Sequence, residues 1–129
     1  MIRERRQVTA WGNRTIIAGR FYPQAGGAIS GANVVGQGYT VAYGATGKYT
    51  LTFDSPIKAV ISSTQALSLG APADVQAVSG PQSLSAAGLL TWEIDAVKTS
   101  DGTTGVALAA NADTHIDFCL VATILGSTV

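Results

Sequence analysis

The sequence predicts an all-β protein, an antiparallel sandwich or barrel of about eight strands with an extended N-terminal arm. Charged residues make up only 12% of the 129 residues, about half the usual share. Fifteen glycines, many threonines and serines, and few strong helix formers argue against helices. Apolar residues recur at every second position in several segments, which is the period of a strand.

The N-terminal part of the chain divides into an arm, a short apolar stretch and a glycine-rich stretch. Residues 1–13 are predicted to be an extended arm, and residues 14–22 a first strand or clasp. Residues 24–38 carry mostly small side chains and are predicted to be a loop or meandering arm. We therefore place a basic, glycine-rich N-terminal segment at 1–37 and the β-domain at 38–129.

The next segment has the pattern of a hairpin. Tyr39, Val41 and Tyr43 alternate with small or polar residues, and residues 48–54 show the same period of two. The glycine-containing turn at 44–47 joins the two runs, and such a short connection is typical of a β-hairpin.

Later strands follow at intervals of about 8–12 residues, with turn residues between them, as in a sandwich or barrel. They are predicted at residues 57–67, 73–79, 89–99, 104–110 and 115–125, of which 104–110 is either a strand or a wide loop. Gly80-Pro81 is predicted to end the strand at 73–79.

The last predicted strand is apolar on both faces after Asp117. Such a strand lies in the middle of a sandwich or at a subunit interface. The residues assigned to this core or interface strand are Ile116, Phe118, Leu120, Val121 and Ile124.

Charge is unevenly distributed along the chain. Residues 1–20 hold five arginines and one glutamate, a net +4, while residues 21–129 hold three lysines and seven acids, a net −4. We interpret the basic segment as an arm that docks on a partner subunit; a solvated terminus and a nucleic-acid contact are the alternatives. The acidic body argues against nucleic acid. The docking residues are predicted to be Arg3, Arg5, Arg6, Trp11, Arg14 and Arg20.

Several classes of protein are not expected from this sequence. Cys119 is the single cysteine, so no intrachain disulfide can form and nothing suggests a secreted, disulfide-linked domain. The N-terminus has no apolar stretch typical of a signal peptide. No segment approaches the ~20 apolar residues of a membrane span, so we expect no membrane partner.

The segment GYTVAYGATGKYTLTFDSPIKAVISSTQAL (38–67) resembles a recurring hairpin of jelly-roll domains in phage virion proteins. The closing DTHIDFCLVATIL (113–125) is similar to the last strand of those domains, and tumour-necrosis-factor-like jelly rolls share this layout. The resemblance covers residues 38–129 and implies a jelly-roll β-sandwich that assembles as a homotrimer, with the final strands near its axis.

Two phage roles follow from the resemblance. One is a capsid decoration (cement) protein on the outside of the virion, which binds the major capsid protein and stabilises the head after synthesis in the host cytoplasm. The other is a receptor- or carbohydrate-binding tip domain of a tail fibre. The short chain beginning at Met1, without a fibrous lead-in, favours the decoration protein.

Two groups near the C-terminus could carry chemistry. Asp113, His115 and Asp117 alternate, and carboxylates with an imidazole can bind a divalent metal. Groups ~6.6 Å apart on one strand rarely converge, so a polar strand edge is expected instead. Cys119 has no suitably placed base and is expected to be a buried core thiol, not a nucleophile.

The remaining candidates favour a non-enzymatic protein without metal or cofactor. Glu93 and Asp95 lie two apart, as paired catalytic carboxylates can, but an acidic outer face that receives a neighbour's arm is the expected interpretation. Four aromatic residues could instead form a sugar-stacking platform: Tyr39, Tyr43, Tyr49 and Trp92. Regular inward register favours core packing for Tyr49 and Trp92.

Overall fold

Strands dominate the structure, a computed structural model that describes residues 14–24, 28–54, 57–68, 74–85, 88–108 and 113–124. Apart from one 3₁₀ turn at Gly31–Asn33, the regular elements of these ranges are strands. Their bounds are β1 Arg14–Phe21, β2 Ala28–Ile29, β3 Val34–Val35, β4 Tyr39–Ala45, β5 Lys48–Phe53, β6 Ile57–Ser68, β7 Val75–Leu84, β8 Leu90–Lys98 and β9 His115–Ile124.

The strands form two antiparallel sheets. A four-stranded sheet has the order β3-β1-β9-β6, and a five-stranded sheet has the order β2-β4-β5-β8-β7. Buried side chains of both sheets form one hydrophobic cluster, as expected of a sandwich. The predicted all-β, antiparallel β-sandwich is therefore confirmed, whereas the jelly-roll connectivity is not.

The first strand lies inside the four-stranded sheet. β1 pairs with β9 along its full length, from Arg14 opposite Thr123 to Phe21 opposite Ile116. Among the described residues, strands of the sandwich therefore already occur within the predicted N-terminal segment 1–37, beginning with β1 at Arg14. The physical reason is that β1 buries apolar side chains at alternate positions, such as Ile17, and so belongs to the core.

The predicted strand at 73–79 does not end at Gly80-Pro81. β7 continues to Leu84, with a register shift against β8 between Ser79 and Gln82. Proline is tolerated here because β7 is an edge strand, so its missing N–H removes no hydrogen bond from a second neighbour. Residues 104–108 form mainly a loop, whose Gly105 bridges to Val97.

Aromatic rings join the two sheets around Phe118. The ring of Phe118 on β9 lies 5.0 Å from that of Tyr39 and 5.8 Å from that of Trp92, both in edge-to-face geometry. Trp92 is fully buried, and its indole nitrogen donates a hydrogen bond to Ser79 Oγ at 2.8 Å. This cluster fixes which face of β9 points inward.

A side chain closes the gap between the edge strands β6 and β7. Gln82 accepts a hydrogen bond from the backbone N–H of Val60 at 2.9 Å and donates one to the Val60 carbonyl at 3.2 Å. The Gln82 amide thus satisfies the backbone N–H and carbonyl of Val60, as a neighbouring strand would. This blocks pairing of β6 with another chain at that point.

Candidate functional site

Successive side chains of β9 point alternately into the core and to the outer face of the four-stranded sheet. Of the predicted core or interface residues, Ile116, Phe118 and Leu120 are buried inside the chain's own core. Val121 points to the outer face and is half-buried, and Ile124 ends β9 with a side chain outside the described residues. The inner residues are therefore already occupied by intrachain packing, which leaves the outward-pointing residues of β9 for any contact of this strand with another subunit.

The outer sheet face is formed by residues that the strand pairings place side by side. Ile16 lies opposite Val121, which lies opposite Ser62; the next rows repeat this arrangement. We define the outer sheet face by its described members: Ile16, Ala18, Arg20, Val35, Ile61, Ser62, Thr64, Ala66, Asp117, Cys119 and Val121. Its middle carries small, uncharged side chains.

Exposed apolar side chains are concentrated on this face. Among the described residues, four large hydrophobic side chains are exposed, and three of them belong to the outer sheet face: Ile16 at 36%, Val35 at 54% and Ile61 at 51%. The fourth, Leu84 at 60%, lies at the end of β7 in the other sheet. Clustering of exposed apolar groups is typical of a protein contact surface.

One ion pair interrupts the uncharged surface. Arg20 donates from Nε to Asp117 Oδ1 at 2.6 Å and from Nη2 to Oδ2 at 3.1 Å, a bidentate contact. Both side chains remain about 40% exposed. The guanidinium holds the pKa of Asp117 below its ordinary value, while the carboxylate raises the pKa of Arg20. The face is therefore close to neutral in this region.

The predicted docking arm is described only in part. Arg3, Arg5, Arg6 and Trp11 lie outside the described residues, and Arg14 begins β1 with its side chain likewise outside them. Arg20, the last of the predicted docking residues, lies within β1, where it pairs with Asp117 of the same chain. The predicted arm at residues 1–13 therefore lies outside the described residues.

The cysteine prediction was wrong. Cys119 is exposed on the outer sheet face, opposite Ala18 and Thr64, because Phe118 and Leu120 on either side of it point inward. The sequence suggested a core position because both neighbours of Cys119 are large apolar residues. The reactivity of this thiol therefore depends on the accessibility of the outer sheet face and not on the core.

The three candidate metal ligands, Asp113, His115 and Asp117, do not lie together on one strand face. β9 begins at His115, so Asp113 precedes the strand, and the carboxylate of Asp117 is held by Arg20. His115 Nδ1 lies 3.3 Å from Asp117 Oδ1, and its ring packs edge-on against Tyr22. Within the described part of the chain, no group of three or more histidine, cysteine or carboxylate side chains could hold a metal ion.

Glu93 and Asp95 form an acidic pair on the outer face of the five-stranded sheet. Lys48 Nζ lies 3.4 Å from Glu93 Oε2 and 3.5 Å from Asp95 Oδ2. Burial of Asp95, together with its carboxylate neighbour Glu93, raises the pKa of Asp95 to about 6. A single lysine thus compensates two carboxylates only in part.

This pair gives a pH-dependent prediction. The folded protein binds the Asp95 proton more tightly than the unfolded chain does, so stability falls as pH rises from about 4 to about 6. Asp95→Asn should therefore raise the free energy of unfolding by about 1 kcal/mol at pH 8, allowing for the lost contact with Lys48, and by much less at pH 4.5. Urea denaturation at the two pH values measures this difference.

Asp101 serves as the control, because its pKa is lowered whereas that of Asp95 is raised. Hydrogen bonds from Thr104 and from the N–H of Thr103 lower the pKa of Asp101 to about 2. Its contribution to stability is present above about pH 4 and is lost as pH falls further. Asp101→Asn should therefore destabilise at pH 8, and a gain from Asp95→Asn that is equal at both pH values would contradict the assignment.

The aromatic candidates lie mainly in the core. Tyr49 and Trp92 are fully buried, as predicted, and Tyr39 is 5% exposed. Tyr43 is half-buried and packs edge-to-face on Tyr49 at 6.0 Å. These residues therefore form no exposed stacking platform.

The chain was compared with protein-family models, curated proteins and solved structures, and no match was found. None of these comparisons identifies a phage protein. The functional interpretation therefore rests on the outer sheet face itself. Among the described residues, no helix is long and apolar enough to cross a membrane.

Most of the outer sheet face was not predicted from the sequence. Ile16, Ala18, Val35 and Ile61 were not proposed as contact residues, although they line this surface. One signal was present: Ile16 precedes the core residue Ile17, so β1, like β9, carries apolar side chains on both faces. Two adjacent strands with this property indicate a sheet that is covered on both sides.

Proposed function

We propose that this protein is a structural subunit of a virus particle, a capsid decoration protein that assembles with itself and binds the major capsid protein. The observation that carries the proposal is the outer sheet face, where exposed apolar side chains surround small uncharged ones. A surface of this kind loses little by leaving water, and it is suited to contact with another protein.

The charged groups support a structural role over catalysis. Three of the four carboxylates raised as candidate chemical groups are held by cations of the same chain, Asp117 by Arg20 and the pair Glu93 and Asp95 by Lys48. A catalytic site needs a nucleophile or base, an acid and an orienting group within reach of one another. The described candidates instead form ion pairs that fix the sheet surfaces.

The resemblance supports the particular role. Phage decoration proteins with jelly-roll domains form trimers on the head, and the net positive charge of residues 1–13 suits contact with an acidic capsid surface. The alternative, a carbohydrate-binding fibre tip, gains no support from the aromatic residues, because Tyr39, Tyr49 and Trp92 are buried.

Co-sedimentation tests this proposal. The purified protein is mixed with empty heads assembled from the major capsid protein of the same phage genome, and the heads are pelleted. We expect saturable binding and heads that withstand a higher temperature. A protein that stays in the supernatant at every concentration would contradict the decoration role.

The structure defines the deletion that accompanies this test. Removing residues 1–13 leaves β1 complete, whereas a cut at residue 20 would remove most of a strand that pairs with β9. We expect the shortened chain to keep its circular dichroism spectrum and lose most of its binding to heads. Unchanged binding would show that residues 1–13 do not dock.

A further inference from the structure

We propose that the outer sheet face binds the same face of a second copy, related by a two-fold axis. In this arrangement Arg20 of each copy lies against Asp117 of the other. The inference deepens the proposed function and rests on it, since it names a contact through which an assembly subunit would bind itself. This two-fold pair is distinct from the trimer that the resemblance implies.

The shape of the face suits a flat, sheet-on-sheet contact. Along the middle row, Ala18, Cys119 and Thr64 lie side by side on β1, β9 and β6, and none has a long side chain. The exposed apolar residues Ile16 and Ile61 lie toward one end of the face, near Val121, and Val35 lies toward the other. Two such faces can approach closely, and the apolar groups at the ends are then covered.

The charges of the face favour a copy of itself as the occupant. Arg20 and Asp117 stand side by side, so a two-fold rotation places each cation next to the anion of the other copy. Their net charge is zero, so a basic arm or a strongly acidic partner gains no net attraction from this pair. Complementarity is therefore greatest toward an identical face.

The size of the face indicates a weak, reversible contact. β1, β9 and β6 contain 8, 10 and 12 residues. At about 4.8 Å between strands and 3.3 Å per residue they cover roughly 450 Å² in plan, or about 900 Å² for two copies. That area is at the low end for specific interfaces, so we expect dissociation in the micromolar range.

Sedimentation velocity from 1 to 200 µM tests the contact. We expect wild-type protein to pass from a 13.2 kDa monomer to larger species across this range. Ile16→Lys should raise the dissociation constant at least tenfold, because it places a charge in the covered face. Leu84→Lys is the matched control: it changes an equally apolar, exposed residue of the other sheet and should leave association unchanged.

A mixing experiment tests the two-fold pairing itself. Arg20→Asp and Asp117→Arg each give a face with two like charges, so each variant alone should be monomeric. An equimolar mixture should associate, because the two faces are then oppositely charged. Circular dichroism of each variant checks that the exposed substitutions leave the fold intact.

The outcomes separate the contact from the wider role. The contact is overturned if wild-type protein stays monomeric at 200 µM. It is also overturned if Ile16→Lys and Leu84→Lys raise the dissociation constant equally. The same holds if the mixture of Arg20→Asp and Asp117→Arg fails to associate while wild-type protein does. If the contact is confirmed but the protein does not pellet with heads, the decoration role fails alone. If the protein pellets with heads as a monomer, the role stands and the contact fails.

Discussion

Phe118→Ala is expected to lower the free energy of unfolding by about 3–5 kcal/mol, the cost of removing a buried phenylalanine ring. Phe118 is 4% exposed and touches the rings of Tyr39 and Trp92 on the opposite sheet. Its loss leaves a cavity between two rigid strands, which cannot collapse without moving a sheet. A loss of this size is a large part of the stability of a domain of this length.

Chemical denaturation followed by tryptophan fluorescence measures the effect, since Trp92 lies in the same cluster. Val121→Ala is the control, because Val121 lies on the outer face of the same strand and is only half-buried. It should cost less than about 1.5 kcal/mol in the monomer. Equal losses for the two variants would contradict the assignment of Phe118 to the centre of the core.

Gly19→Ala is expected to lower the free energy of unfolding by about 2–3 kcal/mol, since an added methyl group would overpack the core. A Cβ atom at Gly19 would clash with the hydroxyl oxygen of Tyr39 and lie 2.7 Å from its ring. The phenol cannot simply move away, because its hydroxyl is 2.6 Å from the Val35 carbonyl oxygen and 3.2 Å from that of Arg20. Burial also raises the pKa of Tyr39.

Two further variants test this explanation. Gly44→Ala should change stability by less than about 0.5 kcal/mol, because a Cβ atom there has no neighbour closer than 3.6 Å. Combining Gly19→Ala with Tyr39→Phe should cost less than the sum of the two single changes, since removing the hydroxyl gives the methyl group space. Strict additivity would show that Gly19 is required for another reason.

Periodicity predicted the strands that bury one regular face. In β5 and β8 the apolar side chains alternate with polar ones, and Leu51, Trp92 and Ile94 are fully buried as this pattern requires. The pairing of β1 was not predicted, because its apolar run is short and its partner β9 lies about 100 residues later. A long-range pairing of this kind leaves no local signal in the sequence.

The outer sheet face depends on the same long-range pairings. Arg20 and Asp117 are 97 residues apart, and only the register of β1 on β9 brings them together. Ile61 lies at a register shift in the pairing of β6 with β9. Such a shift interrupts the alternation of side chains, so the face on which Ile61 lies cannot be predicted from the sequence of β6 alone. The position of Cys119, in contrast, follows from parity once Phe118 is assigned to the core.

If other copies of the chain cover the outer sheet face, they also cover the Cys119 thiol, and the reaction rate of that thiol measures the coverage. Cys119 is the chain's single cysteine and is exposed in the middle of that face. We expect its alkylation by a maleimide to slow as protein concentration rises from 1 to 200 µM, and Ile16→Lys to abolish this protection. A rate that does not change with concentration in wild-type protein would contradict the account.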